Sequence, residues 1–219
     1  MTKDDVLAAL ATVYDPELDE PITALRFVAS CEVADSGDVD VRLRLPTPQC
    51  APNFAFLMAA DARDAVRALP GAGDVTVVLE DHYTGREINA AVASGGGFGD
   101  AFPGEVEGEL DALRALFRRK ALVARQGRLL ETVEDPAAAR LGDLAGPDAE
   151  RCRELRAELG IDASEGAAAF VRGDGTPVPA AELARFARMA SLTAVSLEAN
   201  GGVCRSLLQV RYGIEEVAA

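Results

Sequence analysis

The stretch LRLPTPQCAPNFAFL, residues 43–57, holds the side chain with the most chemistry to offer. Cys50 stands between Pro46 and Pro52, three residues after Thr47, where an alternating apolar pattern gives way to an alanine-rich one. The amides of a helix's first turn stabilise an anion, and a thiolate held there is both a nucleophile and a ligand for soft metals. Thr47 supplies a hydroxyl within the same turn. The Asp15-Pro16-Glu17 corner, another break between elements, offers a carboxylate to the same edge. On the residues alone the plainer alternative stays open, a small hydrophobe that packs in a turn.

The remaining candidates are weaker. Cys204 follows Gly201-Gly202 and is placed to open a helix, where the dipole favours a thiolate. His82, the single histidine, follows a strand in Asp81-His82-Tyr83 and is a secondary metal candidate. Cys31 shares the Leu25 and Phe27 face, and Cys152 the Leu155 and Leu159 face, so both read as core. Four cysteines without a Cys-x-x-Cys pair form neither a disulfide framework nor a structural zinc site. The run Gly95-Gly96-Gly97-Phe98-Gly99 superficially resembles a phosphate loop, but no Gly-Lys-Ser/Thr follows it. Arg172-Gly173-Asp174 reads as a turn.

The elements that must position these residues are legible in the first eighty positions. Thr2 and Asp5 form a capping box ahead of Val6, Leu7, Leu10 and Val13 at helical spacing, a helix expected to stop at Tyr14-Asp15-Pro16. Leu25 to Val33 alternate, and Val39, Val41, Leu43 and Leu45 alternate strictly with Asp38, Asp40, Arg42 and Arg44, so the two stretches form a hairpin. A helix over about Asn53–Leu69 and a strand at Val75, Val77 and Leu79 follow, and the β-α-β connection makes that last strand parallel. The expected fold class is α+β: a small mixed α/β sheet with covering helices, followed by a mainly helical second domain. The domain reading is 1–85 for the α/β domain, 86–109 for a glycine-rich linker and 110–219 for the helical domain. In the last, Leu110, Leu113, Leu116 and Phe117 share one face, and Leu183, Phe186 and Ala190 another.

Charge narrows the partners. The net charge is −14, so nucleic acid and anionic membrane surfaces are repelled. Residues 1–104 hold 17 acidic and 7 basic residues, net −10, which puts the negative field on the α/β half; a solvated face accounts for it on charge alone, and a cation-handling surface would be expected on the same half. The start, MTKDDVLAAL, lacks the basic and apolar regions of a secretory signal, and no apolar run suits a membrane helix, so a cytoplasmic location is expected.

An opening helix running into VYDPELDEPITALRFV, an alternating hairpin, LRLPTPQCAPNFAFL, an alanine-rich helix and LPGAGDVTVVLE together resemble the PaaD/SufT-like metal–sulfur cluster assembly domain over roughly residues 3–83. The resemblance implies a small α/β fold that helps mature iron–sulfur proteins, some members acting on components of multicomponent oxygenases. It places the reactive cysteine at Cys50, the motif threonine at Thr47 and the Asp-Pro-Glu aspartate at Asp15. This chain departs from the pattern where Ala51 separates Cys50 from Pro52, where Arg26 replaces a glycine, and where His82-Tyr83-Thr84 replaces a proline–tryptophan ending.

The expectation is an accessory maturation factor and not a turnover enzyme. It would bind iron or an iron–sulfur cluster transiently through Cys50 with help from Asp15, His82 and Cys204 being the weaker candidates. One thiolate binds weakly, since stable clusters need about four protein ligands, so a client metalloprotein, other assembly proteins or a second subunit would supply the rest. The client class implied is an oxygenase component. The alternative is a metal-independent chaperone or adaptor that docks a metalloenzyme subunit through the helical domain.

Overall fold

The computed structural model describes residues 1–104 and 107–213. They divide into two units, one of Met1–Asp111 with the segment from Gly201 onward, the other of Ala112–Asn200. The fold class is the expected one, a small mixed sheet with helices followed by a mainly helical region.

In the first unit, α1 (Lys3–Leu10) carries the full capping box: Thr2 Oγ1 accepts from the Asp5 amide at 3.2 Å, and Asp5 accepts from the Thr2 amide at 2.7 Å. It stops at Leu10, one turn before the Asp15-Pro16 step. Tyr14 and Asp15 form a short strand, β1 (Tyr14–Asp15), that pairs antiparallel with β2 (Glu20–Pro21). The hairpin of β3 (Val28–Val33) and β4 (Val39–Arg44) is antiparallel, with Val33 opposite Val39. After α2 (Pro52–Arg67), β5 (Val75–Glu80) lies parallel to β4, with Val39 opposite Val75. The strict alternation of β4 sends Val39, Val41 and Leu43 into one core with Leu10, Phe27, Met58 and Val66. Arg26, where the family resemblance implies glycine, adopts φ +60°, a left-handed conformation that costs a side-chain-bearing residue about 1–2 kcal/mol.

The stretch read as a glycine-rich linker is built differently. Gly85–Ser94 is a helix, α3, that buries Ile88, Ala91 and Val92 and ends at Gly95 in the left-handed conformation. A short turn, α4 (Phe98–Ala101), follows. Phe98 sets its ring edge-on to Phe56, centroids 5.5 Å apart. Residues 86–104 are therefore part of the first unit, their apolar residues being too few and too close to the glycines to advertise it. Residues 105–106 of that reading lie outside the described residues.

The second unit is carried by α5 (Glu107–Leu130), α6 (Pro147–Glu158) and α7 (Leu183–Tyr212), the first and last of which begin or end in the other unit. Leu122, Leu141, Cys152, Leu155 and Phe170 form its core. Two buried polar side chains replace missing sheet partners there. Gln126 Oε1 accepts from the Val171 amide at 2.6 Å while its Nε2 donates to the Val171 carbonyl at 3.1 Å. Arg156 donates to the carbonyls of Ala168 and Ala169 at 3.0 and 2.6 Å. Leu116 does not join the inward face of α5, being 58% exposed. Asp174 accepts from the Thr176 amide at 2.9 Å, so Arg172-Gly173-Asp174 does form a turn. No helix among the described residues is long and apolar enough to cross a membrane.

Candidate functional site

Cys50 sits in the loop that carries the chain from β4 to α2. Pro46 follows the strand, and the Thr47 hydroxyl folds back to accept from the Gln49 amide at 3.3 Å. The same hydroxyl stands 3.6 Å from the Cys50 sulfur. Pro52 takes the first position of α2, where its missing N–H costs nothing, and the extra residue Ala51 becomes the N-cap. Ala51 has no side-chain acceptor, so it makes no side-chain cap for the first-turn amides. Cys50 is left half-buried, one residue outside the helix, as a free thiol.

His82 holds this loop from behind. Its Nδ1 accepts from the Thr84 amide at 3.3 Å, which leaves the proton on Nε2 to be donated to the Cys50 carbonyl at 2.7 Å. The Tyr83 amide donates to the Pro48 carbonyl at 3.0 Å. Two contacts thus tie the Cys50 loop to the end of β5. With both ring nitrogens engaged, His82 serves in this arrangement as a tether for the Cys50 backbone and not as an open ligand.

Asp15 is 8% exposed and lies at the β1–β2 turn. Its Oδ1 accepts from the amides of Glu17 and Leu18 at 2.8 and 2.9 Å. Burial raises its pKa from 3.8 to about 6; the amides of Leu18 and Glu17 oppose the rise, and the charges of Glu17 and Glu20 add to it.

Cys204 does not open a helix. α7 runs without a break through Gly201-Gly202, and Cys204 lies well inside it, so no helix N-terminus activates its thiol. Its pKa is instead pushed up to about 11, by burial first and then by the neighbouring Asp15, Cys50 and Glu17, with Arg205 acting in the other direction. The thiol packs, as Cys50 does, against the first unit's core. Leu208 is buried in the first unit's core, and Cys204 and Tyr212, four residues to either side, pack against it. Arg205 pairs with Glu20 at 2.8 Å, and Arg211 and Tyr212 both reach the Asp81 carboxylate. A Cβ on Gly201 would lie 2.8 Å from Glu20 Oε1, the movable end of a side chain that would have to shift.

Structurally, then, Thr47 and Cys50 share one loop with His82 behind it, Cys204 packs against the same core cluster as Cys50, and Asp15 is buried in the β1–β2 hairpin. Arg205, Glu20, Arg211 and Asp81, which hold the end of α7 in this unit, escaped the sequence reading. The only signal for them was the four-residue spacing of Cys204, Leu208 and Tyr212 beyond two glycines. Among the described residues no three histidine, cysteine, aspartate or glutamate side chains are grouped closely enough to hold a metal ion. The unit offers soft and hard donors but not a finished cage.

Comparison with known proteins falls on this same unit. Residues 3–79 match the family described as iron-sulfur cluster assembly protein. An uncharacterized protein of Methanocaldococcus jannaschii is 38% identical over 89 residues, which are 41% of this chain and 92% of that protein. A protein of Porphyromonas gingivalis named Fe-S protein maturation auxiliary factor is 32% identical over 78 residues, 36% of this chain and 72% of its own length. With a thiol loop, a buried aspartate and a three-stranded mixed sheet inside the matched span, the chain belongs, through residues 3–79, to the iron-sulfur cluster assembly protein family.

Proposed function

We propose that this chain is an accessory maturation factor that receives iron or an iron–sulfur cluster as cargo at Cys50, with Asp15 as a second donor, and passes it to a client metalloprotein. The observation that carries the reading is the placement of Cys50. Its thiol is half-buried, and its loop is tied down by His82 and Thr47. Family membership and a relative named as a maturation auxiliary factor support the assignment. A donor set short of the roughly four ligands that stable clusters need suits exchange better than storage. Nothing in this role calls for turnover chemistry on a small molecule. An oxygenase component as the client follows from the family resemblance alone, and is tested by the activity of such a component coexpressed with and without this chain.

The central test is anaerobic reconstitution of the wild type and Cys50→Ala with iron and sulfide, followed by desalting. The expected outcome is that the variant retains much less iron and sulfide and activates an apo-client more slowly. Equal retention and equal activation would remove Cys50 from the metal chemistry and leave the metal-independent adaptor as the reading.

A further inference from the structure

A cavity of about 320 Å³ opens in the second unit between α5, the start of α7 and the loop around Gly173. Val123, Phe186 and Met189 give it an apolar wall, and Arg172, Glu182 and Arg185 line it beside them. The loop is fixed before anything binds. Gln126 holds both backbone groups of Val171, the Arg172 amide donates to the Thr176 carbonyl at 2.8 Å, and the Val178 amide donates to the Phe170 carbonyl at 3.1 Å. The helices are fixed as well. A Cβ on Gly127 would lie 2.8 Å from the Ala190 carbonyl carbon, so α5 and α7 touch backbone to backbone four residues beyond Val123 and Phe186. Charge at the cavity is one-sided. Arg172 pairs with Glu182 at 2.6 Å, whereas Arg185 and Arg188, both exposed, have no hydrogen bond or ion pair among the described residues. Met189, Leu192 and Val195, each more than half exposed, continue the same face of α7. Residues 112–200 hold 13 acidic and 13 basic residues, so the chain's net charge of −14 falls outside this unit, and an acidic partner is not repelled from it.

We infer that this cavity and the exposed face of α7 beside it dock an acidic segment of a partner protein. One large apolar side chain of the partner enters the cavity, and flanking carboxylates pair with Arg185 and Arg188. The volume is at the small end for ligand pockets and suits a single side chain better than a whole cofactor. A carboxylate meets Arg185 as a charge-assisted pair, and the fixed walls spare the cost of ordering the site on binding. The Glu182 carboxylate in the cavity and the charge of the whole chain disfavour a phosphate-rich surface as the occupant. The site lies outside residues 3–79 and stands whether or not Cys50 carries cargo.

The test is fluorescence anisotropy of the full chain with labelled peptides in which glutamates flank a central phenylalanine. Saturable binding with a Kd below about 1 mM is expected, weakening as salt rises. Peptides with serine in place of the phenylalanine, or lysines in place of the glutamates, should bind at least about ten-fold more weakly. Arg185→Glu should weaken the glutamate-flanked peptide by about 10–100-fold and tighten the lysine-flanked one. Met189→Glu, which puts a charge into the apolar wall, should also weaken the glutamate-flanked peptide. No saturable binding, equal binding of the three peptides, or an affinity that Arg185→Glu leaves unchanged overturns the inference. A measurement on the unsubstituted chain covers the case in which a variant fails to fold. Bound peptide should slow phenylglyoxal modification of Arg185, mapped by mass spectrometry, and an unchanged rate overturns the site. Binding to phosphatidylserine vesicles that Arg185→Glu abolishes would make the face a lipid contact. Self-association of the chain that Arg185→Glu abolishes would make it a contact between copies, and either result overturns the acidic partner.

Discussion

Asp15→Asn in the metal-free chain probes the buried carboxylate most directly. In the folded protein the carboxyl group is raised from 3.8 to about 6, chiefly by burial. Asparagine keeps the Oδ1 acceptor for the amides of Glu17 and Leu18 and removes the charge. The sign follows from proton counting. Below about pH 4 Asp15 is protonated in both folded and unfolded chains, and its ionisation contributes nothing to the difference between wild type and variant. Between about pH 4 and 6 the unfolded chain releases the proton first, so wild-type stability falls as pH rises, by up to about 1.4 kcal/mol per unit. Above pH 6 the folded chain is ionised too, and the cost levels off at about 3 kcal/mol, roughly two units at 1.36 kcal/mol each. The assay is urea unfolding of both proteins from pH 4 to 8 in the presence of chelator. The stability of Asp15→Asn minus that of wild type should climb by about 2–3 kcal/mol from pH 4 to just above the folded pKa of about 6 and stay flat from there to pH 8. Any constant offset from placing an amide at the site cancels in that slope. A difference independent of pH, or one that falls as pH rises, refutes the claim that burial dominates at Asp15.

Three further substitutions bear on how the thiols are held. His82→Ala removes the donor to the Cys50 carbonyl and should cost about 1–2 kcal/mol while speeding alkylation of Cys50 several-fold; an unchanged alkylation rate removes the tether. Leu208→Ala should cost about 2–5 kcal/mol and expose Cys204 to alkylation, whereas Arg205→Ala, breaking a part-exposed pair, should cost about 1 kcal/mol or less; the reverse order in thermal melts would mean that charge, not apolar contact, seats α7.

The parts of this molecule that were legible in its sequence are those whose signal is local. Val39, Val41 and Leu43 alternate because one face of β4 is buried and the other is wet, and the period shows it directly. Pro46 and Pro52 bracket the Cys50 loop because each forbids a backbone hydrogen bond, and Ala51 is the cap between loop and helix. α3 was hidden by its setting, since Ile88, Ala91 and Val92 give only one face of ten residues and three glycines follow. The seating of Cys204 had no local signature at all. Arg205 and Glu20 are 185 residues apart, and nothing in either segment names the other. Gly201-Gly202 read as a break because glycine disfavours helix interiors by about 1 kcal/mol, and the close approach of Gly201 to Glu20 is a tertiary fact.

The charges of the first unit are arranged with a purpose that the net value of −10 for residues 1–104 does not convey. Arg205 and Arg211 pair with Glu20 and Asp81, while the charges of Asp15 and Glu17 help raise the Cys204 thiol, after burial. A cation 4 Å from a carboxylate gains about 1 kcal/mol in water and about 4 kcal/mol where the effective dielectric constant is near 20, so a buried carboxylate outweighs the exposed ones on the same surface. Asp15 is the buried one. Its ionisation opposes folding of the free chain by an amount of the same order, and a cation beside it offsets that opposition. Neutralising Asp15 should therefore raise stability and lower iron affinity, read by urea unfolding and by iron retention after desalting; a variant that retains as much iron as the wild type removes Asp15 from the donor set.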